Sequence, residues 1–591
     1  MTLGTNAAAK MSKAFKRMAR QEVPATDELH RILDLPRRVW EQDPNLDAFV
    51  EMATRYLKTP TGAQKLFPIQ AVALRELHDL GGLYGPIPVG EGKTILSFLA
   101  PVVLEAERPL LVVPAKLRDK TIREFAGLAQ HWKSHSGLQI VSYEKLSREG
   151  GTELLQQYRP DLLIFDECHR LKNTGAAVTR KVAAWMKTFP ETKVLNLTGT
   201  SVKRSVLDFA HTLRWSLPNC YPLPRSPEEL EVWAAAVDEI KHYEKRTPAN
   251  PGALLKLCNP VERNEGRAGI RGAVRRRIQE TPGVISCESK MMDVSLNIQL
   301  VLEESYNQRI RDLATKLHEG TLPNGDVYFE EGKEGVQALQ KKWSIMRQLT
   351  SGFWYDWDPR PPADWLAMRS SWRKSVRSIL EQHIPGLESE ALVSKAAASG
   401  KINEHFQTLY EEWKAVRGLH KWDVVPVWED DVIIERVAKW TKHHKGLIWV
   451  SEVGLGERLE KDLGLPYFHE KGKDRIGRYV ESIDPKHGSI VVSVQANGEG
   501  RNLQVWNDNL VISPPPTGTV WEQLLGRTHR TGQEADEVWV EVVVGCSTEW
   551  ECWRQAMRDS KFAAEIDGRK RMTVATIDQT FSIPSSDGGL W

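Results

Sequence analysis

Cysteine is scarce in this chain, six in 591 residues, and no two cysteines form a C-x-x-C pair. A disulfide framework is disfavoured by that scatter, which reads as reduced, mostly buried thiols. Long apolar runs are missing too: nothing approaches the roughly 18 consecutive apolar residues of a membrane span, so none is expected. Net charge is nearly absent, with 80 basic against 78 acidic residues. Any contact with nucleic acid must therefore come from local patches. No repeat of fixed period is present. What remains is a globular composition, 41% apolar and 27% charged. Its length suggests about four domains at roughly 150 residues each. The start carries Lys10, Lys13, Lys16, Arg17 and Arg20 without an apolar run. It reads as a flexible basic arm, not a signal peptide, and the expected location is cytoplasmic.

Apolar runs of strand length alternate with helical stretches between Gln70 and Ser201, at Leu110–Val113, Gln139–Ser142, Leu162–Phe165 and Val194–Leu197. The alternation predicts a parallel sheet covered by helices on both faces. It stops over 216–290, which is richer in Arg and Glu. A mostly helical pattern fills 291–430, with Trp343, Trp354, Trp357, Trp365, Trp372, Trp413, Trp422 and Trp428. Strands return at Leu447–Val450, Ser489–Val494, Leu510–Ser513 and Val538–Val544. The expected divisions are a basic arm with short helices (1–60), a first α/β lobe (61–215), a helical insertion (216–430), a second lobe (431–566) and a mobile tail (567–591).

The segment from Gly85 through Gly90, Glu91 and Gly92 to Lys93 and Thr94 runs into an apolar helix. A glycine-rich loop opening a helix aims backbone N–H groups and the helix dipole at one place, a cradle for anions. Lys93 would reach the β and γ phosphates and the Thr94 hydroxyl would hold Mg²⁺. One departure is Ile87, where the strict pattern wants Gly. The run Asp161-Leu-Leu-Ile-Phe-Asp166-Glu167 describes a buried strand delivering two acids to its carboxyl edge, where open α/β sheets place ligands. Asp166 would hold Mg²⁺ through water, and Glu167 would orient and deprotonate the attacking water.

The box Asp166-Glu-Cys-His169-Arg170-Leu-Lys172-Asn173 resembles that of Snf2-type superfamily 2 helicases, with Cys168 in the alanine position. Phe67-Pro-Ile-Gln70 is similar to the segment whose Gln contacts adenine. Pro114-Ala-Lys116-Leu117 and Ser142-Tyr143-Glu144 fit motifs Ia and Ib, and Leu197-Thr198-Gly199-Thr200-Ser201 resembles motif III. Ser493 to Leu503 resembles motif V, including Gly498, Gly500 and Asn502, with Asn497 replacing a common Gly. Gln523-Leu-Leu-Gly526-Arg527-Thr-His529-Arg530-Thr-Gly532-Gln533 resembles motif VI.

The resemblance implies two RecA-like P-loop lobes with parallel sheets, separated by a long mainly helical insertion. It implies ATP and Mg²⁺ as cofactors, with Gln70, Gly90, Glu91, Gly92, Lys93, Thr94, Gly498, Gly500 and Gln523 around the nucleotide. Arg530 would be the arginine finger, with Arg527 beside it; such a finger is worth on the order of 10³–10⁵ in rate. Lys116, His169, Thr198, Thr200 and Asn502 would couple the nucleotide to nucleic acid. Arg275, Arg276 and Arg277, next to the first lobe, would grip phosphates. The tryptophans at helical spacing read as core rather than as a stacking platform. His443-His444, with no further His or Cys at ligand spacing, reads as a solvated helix end.

The expected function is ATP hydrolysis driving translocation on duplex DNA through phosphate contacts, without a membrane, in a bacterial or phage-infected cell. A strand-separating DNA or RNA helicase and an inactive nucleotide-binding scaffold are the alternatives. Gln533 argues against the DEAD type, and Lys93, Glu167 and Arg530 argue against the scaffold.

Overall fold

The computed structural model describes residues 25–87, 92–148, 150–199, 205–238, 251–286, 294–327, 336–382, 384, 387, 389–419, 421–498, 500–530, 532–567 and 572–575. The basic start, up to residue 24, lies outside them. The chain divides into two compact units: residues 1–290 with 561–570, and residues 291–560 with 571–591.

In the first unit five strands form one parallel sheet: β1 (Gly82–Pro86), β2 (Pro109–Val113), β3 (Gln139–Ser142), β4 (Leu162–Asp166) and β5 (Lys193–Thr198). Their order is β1-β5-β4-β2-β3. Strand β2 is apolar throughout because it is covered on both sides: Leu110 and Val112 enter one hydrophobic core, Leu111 and Val113 the other. The four expected strands are all present. β1, of sequence GLYGP, carries no strand signal of its own, since Gly and Pro are poor strand formers. Its pairing with β5 from Gly82↔Val194 to Pro86↔Thr198 makes it a strand, and that pairing is tertiary.

The second unit holds a six-stranded parallel sheet: β6 (Ser295–Leu302), β9 (Leu447–Val450), β10 (Tyr467–Phe468), β11 (Ile490–Ser493), β12 (Asp508–Ile512) and β13 (Glu537–Val544), in the order β10-β11-β9-β12-β13-β6. Two antiparallel strands, β7 (Phe353–Asp358) and β8 (Asp423–Trp428), form a separate ribbon.

The helical pattern expected over 216–430 is thus interrupted by three strands. β6 alternates buried and exposed positions at its start and pairs along its whole length with β13. β7 and β8 frame an excursion of three helices, Ala363–Glu381, Glu390–Ala398 and Glu404–Val416. That excursion has its own small core of Trp372, Val376, Ile379, Val393, Ala397 and Tyr410. The tail is not wholly loose: Met572–Ala575 is a short helix held by Glu522, whose carboxylate accepts from the N–H groups of Met572 at 3.2 Å and Thr573 at 2.9 Å. Among the described residues no helix is long and apolar enough to cross a membrane.

Candidate nucleotide and nucleic-acid sites

In the first unit the expected site residues follow the carboxyl ends of the parallel strands. After β1 the chain passes Ile87 and turns at Gly92 into the helix Lys93–Val103. Ile87 stands where a strict phosphate loop has Gly because its side chain is fully buried in the core. Its carbonyl accepts from Lys93 Nζ at 3.0 Å, which tethers the ammonium to the loop. Gly92 is left-handed, with φ 84°, and an added Cβ would lie 1.9 Å from Gln70 Nε2. Only glycine satisfies both conditions. Gln70 is buried and caps its own helix, Oε1 accepting from Phe67 N–H at 2.9 Å. Thr94 is half-buried in the first turn. Gly90, Glu91 and Thr200 lie outside the described residues.

β4 ends on Asp166, and Glu167 follows in the left-handed region, φ 57° and ψ 51°. A non-glycine residue held there stores about 1–3 kcal/mol of strain, a pattern found at functional sites. Loss of surrounding water, then the neighbouring Glu167 charge, pushes the Asp166 carboxyl up to about 7, while the Lys93 ammonium acts in the opposite direction. Lys93 and the acid pair are therefore within electrostatic reach of one another. His169 Nδ1 lies 3.2 Å from Glu167 Oε2 and 3.2 Å from Thr198 Oγ1 at the end of β5. The imidazole thus joins the acid strand to the strand between it and β1. Cys168 is buried in the core, and burial pushes its thiol well up, so it fills the alanine position as an inert group.

Two contacts have partners that the residues alone do not name. The buried Tyr143 donates its hydroxyl to the Asp166 carbonyl at 2.9 Å, fixing the backbone that aims the acids. Glu144 accepts from Ala115 N–H at 3.0 Å and lies 3.5 Å from an Arg170 guanidinium nitrogen. It ties the half-buried Lys116 turn to the segment after the acid pair. The Ser142-Tyr143-Glu144 pattern was the available clue; the partners are far away in sequence.

In the second unit the motif V turn needs Gly500 at φ 73°. Gly498 has little room, since an added Cβ would sit 2.5 Å from the Val494 carbonyl. Asn497 is fully buried and donates to the carbonyls of Phe468 at 2.8 Å and Ser493 at 3.3 Å, bonds that a glycine there could not make. The helix Gly518–Thr528 buries both Gln523 and Arg527. Arg527 donates to the carbonyls of Gln523 at 2.8 Å and Arg501 at 3.1 Å. Arg530 is half-buried and donates to Arg501 O at 3.3 Å and Asn502 Oδ1 at 2.7 Å. Gln533 closes the motif on the carbonyls of Trp506 and Thr528. Motifs V and VI are thereby one hydrogen-bonded unit, with Arg527 as its internal clamp and Arg530 nearer the surface.

Of the arginines expected to grip phosphate on the helix Arg267–Gln279, the structure buries Arg277 and gives Arg275 and Arg276 partners within the protein. Arg277 is 1% exposed and donates to the carbonyls of Ile32, Leu35 and Pro36. Those carbonyls lie in and just after the helix Asp27–Asp34, where a helix end leaves acceptors without partners. Arg276 is held by Glu262 at 2.8 Å, and Arg275 donates to the Glu565 carbonyl at 3.4 Å. The run satisfies the protein's own acceptors.

The family model described as type III restriction enzyme, res subunit, matches residues 64–203. That span opens before Gln70, takes in Lys93 and the acid pair, and closes after Thr198. Over that span, less than half of the chain, the sequence is similar to this family. No curated protein matches the chain. Among solved structures it is similar to the Sulfolobus solfataricus SWI2/SNF2 ATPase core in complex with dsDNA, at 13% identity. That alignment covers 86% of this chain and 97% of the other, with a TM-score of 0.28, too loose a superposition to bear on the site. The family likeness thus lies within the first unit.

Proposed function

We propose that the chain is an ATP-hydrolysing motor that translocates on duplex DNA. The observation that carries the reading is the placing of Lys93, Asp166, Glu167, His169 and Thr198 at the carboxyl edge of one parallel sheet, with Lys93 in electrostatic reach of the acids. Lys93 leaves the Ile87 carbonyl to neutralise phosphate charge, and the Gly92 turn with the helix N-terminus presents N–H groups to the same anion. Glu167 takes a proton from the attacking water, and His169 holds that carboxylate in place. Mg²⁺ suits this donor set, because it is bound by one or two carboxylates, a hydroxyl and substrate phosphates. Thr94 and Asp166 are its proposed holders, and it would supply charge neutralisation on the phosphates. Gln70, packed on Gly92, is proposed to read the adenine edge. Arg530 is proposed to supply positive charge to the transferring phosphoryl group, with Arg527 positioning it through the shared Arg501 carbonyl.

ATPase rates measured without nucleic acid, and with single-stranded DNA, duplex DNA or RNA, test the proposal. Duplex should stimulate most, and a triplex-displacement assay should report movement where a strand-separation assay does not. Lys93→Ala and Glu167→Gln should both abolish turnover, with Glu167→Gln still binding ATP. Best stimulation by single strands, with unwinding of a forked duplex, would replace translocation by strand separation. Substantial turnover in either variant would remove the site.

A further inference from the structure

With the arginines of the Arg267–Gln279 helix committed to internal acceptors, the excursion between β7 and β8 presents a basic row in their stead. On the helix Ala363–Glu381 the side chains of Trp372, Ser375, Val376 and Ile379 are buried, which turns Arg373, Lys374 and Arg377 outward. All three are exposed, and no described acid pairs with them. Arg373 and Arg377 stand one turn apart, a rise of about 6 Å, with Lys374 beside them. Along the stretch from Arg373 to Arg377 every charged side chain is positive, although Asp364 lies nearer the start of the same helix and the exposed Glu390 begins the next one. The exposed acids Glu404, Glu411 and Glu412 are on the helix Glu404–Val416, where Glu411 meets Lys414 at 3.4 Å. A surface built only for solubility intersperses the two signs; a single-sign row is a steering or binding feature.

The base of the row is rigid. Trp365 packs edge-on against Trp357, Trp413 and Trp422, with ring centroids 5.7, 5.1 and 6.2 Å away. The Arg369 guanidinium lies over the rings of Trp357 and Trp365, at 5.0 and 5.7 Å. Glu390 is the acid that acts on Arg369, and Arg373 repels it. The tryptophans are therefore anchors, and the charges beyond them are held on a fixed helix rather than on a loop.

We propose that Arg373, Lys374 and Arg377 form an accessory grip on the phosphate backbone of duplex nucleic acid. Regularly spaced unpaired cations on a straight element match a regular row of phosphates, and they carry no sequence information. The proposal rests on the nucleic-acid part of the function above and is independent of hydrolysis.

The test is fluorescence anisotropy of a labelled duplex of scrambled sequence, without nucleotide, across a salt series. The unsubstituted chain is compared with the triple variant Arg373→Glu, Lys374→Glu, Arg377→Glu and with its neutral counterpart carrying Gln at the same positions. Each phosphate that is no longer neutralised removes about 0.9 from the slope of log K against log salt, so the triple variants should lose about 2–3. The affinity gap to the unsubstituted chain should then shrink about 40-fold between 50 and 200 mM salt. The thermal midpoint should not move, because all three side chains are exposed. Lys442→Glu with Lys461→Glu lowers the net charge by about 4, between the about 3 of the Gln variant and the about 6 of the Glu variant, and as a control should leave the slope within about 1. An unchanged slope in the triple variants overturns the grip, as does an equal fall in the control. Competition by polyglutamate as effective as competition by duplex at equal charge also overturns it, in favour of an acidic protein partner. A chain that hydrolyses ATP and binds duplex with an unchanged slope loses the grip and keeps the motor. One that loses slope but never hydrolyses does the reverse.

Discussion

Replacing Arg277 with alanine separates a structural arginine from a phosphate-binding one. Its guanidinium donates to three carbonyls, Ile32 at 3.1 Å, Leu35 at 3.3 Å and Pro36 at 3.1 Å. A hydrogen bond from a charged group contributes about 1.5–3 kcal/mol, so their loss costs roughly 5 kcal/mol in all. Against that, Nη1 is buried with no partner among the described residues, and burial pushes the group down to about 10, still charged at neutral pH. Removing this poorly satisfied donor returns about 1–2 kcal/mol. The expected net loss is about 3–4 kcal/mol, a large part of a typical 5–15 kcal/mol domain stability. Urea denaturation followed by circular dichroism should show an earlier transition for Arg277→Ala. Arg277→Lys, with a point charge in place of a planar fork, should recover only about a third. The salt slope for duplex binding should be unchanged. A slope lower by about 1 with an unmoved midpoint would refute the reasoning and put Arg277 back on the phosphate surface.

Gly92→Ala places a methyl 1.9 Å from Gln70 Nε2 at a φ of 84°. It should cost about 1–2 kcal/mol of backbone strain and weaken ATP binding in calorimetry; adding Gln70→Ala should partly restore the thermal midpoint, since it relieves the contact but not the φ, and should not restore ATP binding, because Gln70 is itself proposed to touch the adenine. Arg530→Ala should collapse stimulated turnover while ATP affinity stays within about threefold, whereas Asn502→Ala should change turnover less; equal effects in steady-state kinetics would make Arg530 a structural residue. Asn497→Ala strands the Phe468 and Ser493 carbonyls, so it should destabilise the second unit by about 1–3 kcal/mol in denaturant melts.

The legible parts of this molecule are those that a local pattern dictates. Strands such as Leu162–Asp166 are continuous apolar runs ending in acids, so both their existence and their chemical edge can be read directly. Illegible parts depend on partners distant in sequence. β1 is a strand only through its pairing with β5, and β6 belongs to the second sheet only through β13, 242 residues later at the Ser295↔Glu537 pair. The same holds for the arginines. A row such as Arg275 to Arg277 looks like a surface patch until Ile32, Leu35, Glu262 and Glu565 are brought to it. Conversely, the exposed row at Arg373 to Arg377 hides in sequence among tryptophans, because its neighbours set its direction.

The ribbon of β7 and β8 ends on the facing pair Asp358 and Asp423, so the stretch between them leaves the ribbon and returns to it at one spot, within the second unit. Facing residues of an antiparallel pair are about 5 Å apart, a gap that a two-residue turn can bridge. The intervening stretch is topologically a cassette. It can be shortened to a turn, lengthened or exchanged without rethreading the parallel sheet, and each doubling of its length adds only about 0.6 kcal/mol of closure entropy. Whatever that cassette holds can therefore be revised by insertion or deletion while the hydrogen-bonded frame beneath it stays as it is.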